Sequence, residues 1–511
     1  MFQFHRIITS ILLTLGLTGA VSAQGASAES DRGWLLDILA GFIKVLVTGI
    51  DALSAFVFKT IALNGEDVEW IVAFLAIPMI LLTLYFKFIN VTSFKRAWHI
   101  IRGKYHDEDA PGEVTQFQAL STALSGTVGL GNIAGVAIAI SIGGPGATFW
   151  MILIGFCAMS LKFAECTLGV KYRDIHEDGT ISGGPMYYLE RGLAAKGWGT
   201  FGKTLAWTYA ILAVPTLLQV AQVNQSYEAV AVVTGFDGAA SKWGFGVFVA
   251  ILTAIVIVGG IKSIANVTSK LVPTMAGIYI TAALVIIFGN ITAVPAAFVT
   301  IFESAFNPAA GVGGIIGVIV VSMQRAVYST EAGLGSATMA HAAAKTREPV
   351  SEGMVALMEP FIDTVIVCTM TALVIIITGV YVGGEGTEGI SLTSEAFGSV
   401  ISWFPWVLAL AAFLFAYSTI ISWGYYSSRV WEFVFGGSKT SMATFKTVFC
   451  LALIPGAAIP LDKVVSLMDS MFFLMAVPNV IGIYLLAPEL KRDLKSYLAR
   501  LKSGEISPTN G

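Results

Sequence analysis

The sequence predicts an all-α polytopic membrane protein: a five-plus-five inverted-repeat core with one extra amino-terminal transmembrane helix. Three observations predict it. Of 511 residues, 56% are hydrophobic and 12% charged, with a mean hydropathy of +0.78, whereas a soluble chain carries about a quarter charged residues. Lys and Arg gather in every second connection between apolar stretches. Two of those stretches carry related glycine patterns, SGTVGLGNIAGVAIAISIGGPG at 125–146 and EAGLGSATMAHAAA at 331–344.

In chain order, His5 and Arg6 precede the apolar run 7–17, and Ala20-Val21-Ser22-Ala23 offers small residues for cleavage. Residues 1–23 therefore read as a secretory signal peptide, or alternatively as an uncleaved anchor. Residues 24–67 are expected outside the membrane or at its surface. The stretch 34–62 is apolar but broken by Asp37, Lys44, Asp51 and Lys59, which suits interfacial helices. Hydropathy then marks eleven spans: 68–90 as the extra helix, and ten between 115 and 487, near 117–141, 147–170, 205–234, 245–261, 271–289, 312–340, 350–380, 402–433, 441–459 and 464–487. The tail 488–511 follows.

Charge gives an independent topology. Basic residues cluster after the first span, between the third and fourth, at Lys262 and Lys270, at Lys345 and Arg347, and in the tail, while 290–311 and 381–400 have none. The positive-inside rule then places the carboxyl terminus in the cytoplasm and the mature amino terminus outside. Ten core helices divide into two sets of five. An odd number per set inverts the second relative to the first, and the glycine-broken helices become the first and sixth of the ten. Paired broken helices at the midplane point to a secondary transporter's binding site, though Gly131 and Gly135 also form a GxxxG packing motif.

Other chemistry is poorly supported. The net charge of −3 and the lack of a basic stripe give no reason to expect a nucleic-acid partner. Cys157, Cys166, Cys368 and Cys450 all lie in apolar runs and read as core residues. Five histidines without metal-ligand spacing, and no Ser–His or carboxylate cluster within spans, argue against an enzyme.

Five segments then carry a resemblance: GNIAGVAIAISIGGPGATFWM (131–151), DGTISGGPMYYLERG (178–192), STEAGLGSATMAHAAAKT (329–346), EPFIDTVIVCTMTALVI (359–375) and FAYSTIISWGYYS (415–427). In this order the chain resembles the alanine or glycine:cation symporters, also called sodium:alanine symporters, within the amino acid–polyamine–organocation group. The resemblance implies an inner-membrane symporter taking up alanine and glycine with sodium, or less often protons, with no cofactor beyond the coupling ion. Partners are then the amino acid, the sodium ion and the lipid bilayer. A channel or a sensor on the same fold is the alternative of another class. Thr330 and Thr338 replace residues usual in the family, and Leu130 stands where many members carry a hydroxyl.

A zwitterion in hydrocarbon needs both charges satisfied. The break around Gly129, Leu130, Gly131 and Asn132 frees backbone N–H groups for the carboxylate. The second break, around Ser329, Thr330 and Gly333, offers carbonyls to the ammonium, with Glu331 beside it. Gln222 matches a polar position of the family's third core helix and is expected to contact substrate or a neighbouring helix. Asn132 either caps the second half-helix or reaches a cation. Asp363 and Glu359 read as structural or gating groups. For sodium, the resemblance points to Phe415, Ser418 and Thr419, whose i, i+3, i+4 spacing shares one helical face, completed by carbonyls of Ser125 and Val128.

Overall fold

The computed structural model describes residues 45, 47–63, 66–105, 107–306, 314–382, 389–458 and 462–508. The expected signal peptide 1–23 and the part of the next segment up to residue 44 lie outside the described residues. Helix α1 (Val47–Val57) leads into an antiparallel hairpin of β1 (Thr60–Leu63) and β2 (Glu66–Glu69). The expectation of surface helices across 34–62 therefore gives way to strand from Thr60 onward.

Every predicted span is helical, but two are short and two are broken. Helix α2 (Trp70–Tyr85) has 16 residues, about 24 Å of helix against a hydrocarbon core of about 30 Å. The first broken span is α3 (Gln116–Thr127) and α4 (Ala134–Gly143), bent by 62° at the break. Next come α5 (Ala147–Lys171), α6 (Gly199–Ala213), α7 (Val220–Thr234), α8 (Ala239–Ile257) and α9 (Gly260–Gly289). Helix α10 (Val294–Phe306) occupies a stretch the charge pattern marks only as a connection. The second broken span is α11 (Gly314–Thr330) followed by the five-residue α12 (Thr338–Ala342).

Helix α13 (Pro349–Ala356) continues through a wider π-helical stretch, Phe361–Cys368, into α14 (Thr369–Thr378). The chain closes with α15 (Ile390–Val400), α16 (Phe404–Phe435), α17 (Lys439–Leu453), α18 (Asp462–Leu474) and α19 (Ala476–Ser503). Among the described residues eight helical runs are long and apolar enough to cross a membrane, with α6 and α7, α13 and α14, and α18 and α19 each counted as one run, and the bent pair makes nine. The predicted eleven differ by α2 and α11, whose 16 and 17 residues fall short.

Two helices organise the interior. Helix α5 packs on α2, α11 and α13, while α16 packs on α3, α7 and α9. Outward, large apolar side chains such as Ile77, Leu84, Phe248, Ile255 and Phe288 are exposed, as lipid-facing surfaces require. Inward, small residues allow close approach: a Cβ on Gly353 would sit 1.9 Å from Thr167 Oγ1, and one on Gly424 2.5 Å from Ile257.

Several charges inside this bundle are paired. Lys162 Nζ of α5 lies 3.2 Å from Glu359 Oε2, and His341 of α12 bonds Glu352 and Glu359 at 2.6 Å through its two ring nitrogens. Gln116 extends the chain to Glu352 at 2.9 Å. A five-residue helix has almost no stability of its own, so these bonds hold α12 in place. Arg173 adds bonds of 2.7 and 2.6 Å to the Ala342 and Ala344 carbonyls.

Candidate substrate and cation site

The first break begins where α3 runs out of hydrogen bonds. Thr115 and Gln118 form a reciprocal capping box at its start. At its end Val128 turns to an extended ψ of 92°, and a single tight turn at Leu130–Asn132 precedes α4. Asn132 competes with the helical ladder: its Oδ1 accepts the Gly129 N–H at 2.9 Å. Gly129 is needed for close approach, because a Cβ there would lie 3.2 Å from Thr419 Oγ1, whereas one on Gly131 would enter open space.

The second break follows α11. Glu331 adopts φ +50° and Gly333 and Gly335 adopt +94° and +77°, a left-handed run only glycine takes freely. Glu331 is fixed there by two bonds: Ser336 Oγ donates to Oε2 at 2.6 Å and Trp423 Nε1 donates to Oε1 at 3.2 Å. A Cβ on Gly335 would stand 2.4 Å from Pro185.

Between the breaks lies a cavity of about 290 Å³, walled by Gly129, Leu130, Gly131, Gln222, Glu331 and Trp423. Arg325, Tyr328 and Asp469 line it as well, with Gln219, Gln225 and Thr419. Of the substrate residues read from sequence, Gly129, Leu130, Gly131 and Gln222 meet on this wall. The Gln222 Oε1 is buried with no hydrogen-bond partner in the protein. The other four stand behind the wall. Asn132 and Ser329 are fully buried and bonded to each other at 3.0 Å and to Asp363. Thr330 Oγ1 accepts the Ala332 N–H at 3.3 Å, and the Gly333 carbonyl accepts Asn479 Nδ2 at 2.8 Å. As for capping, Asn132 bonds back toward Gly129 rather than forward into α4.

Four of the residues read as a cation set, Ser125, Phe415, Ser418 and Thr419, meet where α16 crosses the end of α3. Ser418 Oγ lies 2.8 Å from the Phe415 carbonyl and 3.3 Å from that of Ser125. Thr419 Oγ1 lies 3.0 and 3.1 Å from the same two oxygens, and Ser125 Oγ donates to the Ser418 carbonyl at 2.7 Å. Val128 is the residue on which α3 ends. These are hard oxygen donors of the kind that hold a sodium ion, and the same hydroxyls here bond helix carbonyls.

Sequence reasoning missed Asp469 and Trp423 as cavity residues. The signal for Asp469 was its charge within a predicted span; nothing local marked Trp423, which reaches the site from the middle of α16.

Comparison with known proteins follows this geometry. Residues 53–510 match the model of the sodium:alanine symporter family. The sodium/alanine symporter AgcS of Methanococcus maripaludis is 39% identical over 421 residues, covering 82% of this chain and 92% of that protein. The probable sodium/glutamine symporter GlnT of Bacillus subtilis is 31% identical over 427 residues, 83% of this chain and 86% of the relative. Among solved structures, that of MhsT in complex with L-phenylalanine superposes with a TM-score of 0.51 at 16% identity, over 73% of this chain and 89% of the other. At that identity the likeness is one of fold alone.

Proposed function

This chain belongs to the sodium:alanine symporter family, and from that premise we propose that it imports small neutral amino acids, alanine and glycine, coupled to sodium by alternating access. It is a multi-pass membrane protein and a cation-coupled amino acid symporter rather than an enzyme. The finer reading is carried by one observation: a cavity lies between two helix breaks, and Thr419 stands both on its wall and in the oxygen cluster of Ser125, Phe415 and Ser418.

In this reading the substrate carboxylate takes main-chain donors around Leu130 and Gly131, where the break exposes backbone beside the cavity. Gln222 supplies a buried acceptor for the ammonium. Asn132, Ser329, Thr330 and Gly333 act from behind the wall by setting the two breaks. Sodium sits among the Ser125, Val128 and Phe415 carbonyls and the Ser418 and Thr419 hydroxyls, which together give the five or so oxygens a hard cation takes. The protein works in the inner membrane with its carboxyl terminus inside, as the basic connections favour. Its ten core helices form two inverted sets of five, and α2 precedes them. The name of the glutamine-carrying relative makes side-chain choice the feature to measure.

The test is uptake of alanine, glycine, serine and glutamine into proteoliposomes under an imposed sodium gradient, an imposed proton gradient, or neither. Concentrative alanine uptake that collapses with the sodium gradient is expected. Uptake that follows only the proton gradient replaces sodium in the proposal, and equilibration without concentration makes the protein a channel.

A further inference from the structure

The segment DGTISGGPMYYLERG (178–192) carries part of the family resemblance, yet neither the substrate nor the sodium reading uses it. It belongs to a connection that starts at Arg173, just past the end of α5, and folds as a small hairpin of β3 (Asp174–Ile175) and β4 (Ile181–Ser182). This connection grips the ends of both broken helices. Arg173 Nη1 donates to the carbonyls of Ala342 and Ala344, and Nη2 donates to those of Pro111 at 2.6 Å and Thr346 at 2.8 Å. Pro111 lies just before α3, and 342–346 is the stretch on which α12 ends. One planar guanidinium thus holds four main-chain oxygens from two segments. Beyond the hairpin, the Ile181 N–H donates to Glu113 Oε1 at 2.9 Å, and a Cβ on Gly183 would collide with the Ala342 methyl group.

The same two segments also meet directly. The Glu113 N–H donates to the Ala343 carbonyl and the Lys345 N–H to that of Val114, both at 2.8 Å, and Val114 and Ala344 pair as an isolated parallel bridge. Arg347 adds an ion pair to Asp107 at 2.9 Å, but both side chains are exposed, and such pairs contribute little. Lys345 and Arg347 mark this as the basic side of the bundle. The cavity lies away from it: its walls come from α4, α11 and α18, from α3 only at Gly126 and Thr127, and not from α12. Helices α3 and α12 therefore stand between the cavity and the basic side, with their outer ends stapled. A ligand leaving toward that side has to part them.

We propose that Arg173 is a positioning residue of the transport cycle, the latch that holds the basic-side ends of α3 and α12 together and lets go when they part. The proposal rests on the alternating-access reading above. Arg173 touches neither the cavity nor the oxygen cluster; it acts through the four carbonyls. Their chemistry suits a contact that is made and broken in every cycle. Releasing a carbonyl separates no ion pair, and water replaces each lost bond at small net cost.

Ala343 is fully buried, and its carbonyl accepts from Glu113 and Val114, so a thiol placed there reacts only when the two segments separate. Ala343→Cys is made in a full-length chain whose Cys157, Cys166, Cys368 and Cys450 are replaced by Ala. Its labelling by a charged maleimide is timed in inside-out vesicles containing sodium and no amino acid, so the result is independent of the substrate. Arg173→Ala should raise the labelling rate about tenfold or more, as the loss of several net hydrogen bonds implies, with the melting temperature in detergent within a few degrees. Arg173→Lys, which keeps the charge but not the planar fork, should raise it by less and stands in should Arg173→Ala fail to fold. An unchanged rate in both variants overturns the latch, and so does a faster rate that comes only with a large fall in melting temperature. A second measurement joins the segments: Val114→Cys/Ala344→Cys, oxidised to a disulfide, should stop alanine uptake and regain it on reduction. Uptake that continues with the disulfide formed rejects the latch. A chain that carries no alanine even when reduced fails the substrate reading instead, and the labelling rates still judge Arg173.

Discussion

Thr419 Oγ1 stands 3.1 Å from the Ser125 carbonyl oxygen, across 294 residues of chain, and the same residue lines the cavity. One side chain thus joins the end of the first half-helix, the oxygen cluster and the cavity wall. Removing Ser418 and Thr419 hydroxyls together, as Ser418→Ala/Thr419→Val, should raise the sodium concentration for half-maximal uptake about tenfold or more, roughly 1.4 kcal/mol. Shape is kept by the Thr→Val exchange. Sodium dependence measured in proteoliposomes decides it, and an unchanged dependence moves the cation elsewhere.

Gly131 has nothing within 4 Å of its missing Cβ and lies on the cavity wall. Gly131→Val therefore sets its Cβ in open space on the cavity wall and adds two methyl groups there. Binding and uptake of alanine and glycine should be lost while the melting temperature in detergent stays within a few degrees. Normal uptake by this variant would place the carboxylate away from the first break.

How much of this was legible in the sequence depends on range. The two breaks were readable because glycine and a small polar residue interrupt an apolar run, a purely local signal. Their geometry was not, since hydropathy carries no angle and could not foresee that α12 would keep only five residues. Hydropathy leaves 290–311 and 381–400 as connections between spans, yet they contain α10 and α15; their lack of basic residues says which side a segment lies on, not whether it is helical. Partners remote in sequence were the hardest to see. Asn132 meets Asp363 231 positions away, so a residue read as a cap or ligand turns out to tie the break to another helix.

The Lys162–Glu359 pair is fully buried, and such pairs respond asymmetrically to substitution. Lys162→Met leaves Glu359 bonded only by His341 and should cost about 3–5 kcal/mol. Lys162→Met with Glu359→Gln removes both charges and should recover most of that loss. Chemical denaturation in detergent compares the two; a single variant as stable as the parent would show that the pair holds nothing.

Among the described residues Glu331 is one of three non-glycine residues with positive φ, at +50°, a conformation costing of order 1–3 kcal/mol. It is kept there by Ser336 and Trp423 while the residue lines the cavity beside Arg325 and Asp469. Glu331→Gln separates the two roles. The carboxamide oxygen still accepts from Trp423, and its NH₂ donates to Ser336 Oγ once that hydroxyl turns, so the backbone stays and only the charge goes. Uptake should fall at least about tenfold, roughly 1.4 kcal/mol, with melting temperature within a few degrees of the parent. Glu331→Ala should lose uptake and stability together, because both bonds go with the charge. Should Glu331→Gln transport within about twofold of the parent, the carboxylate serves only to hold the second break open.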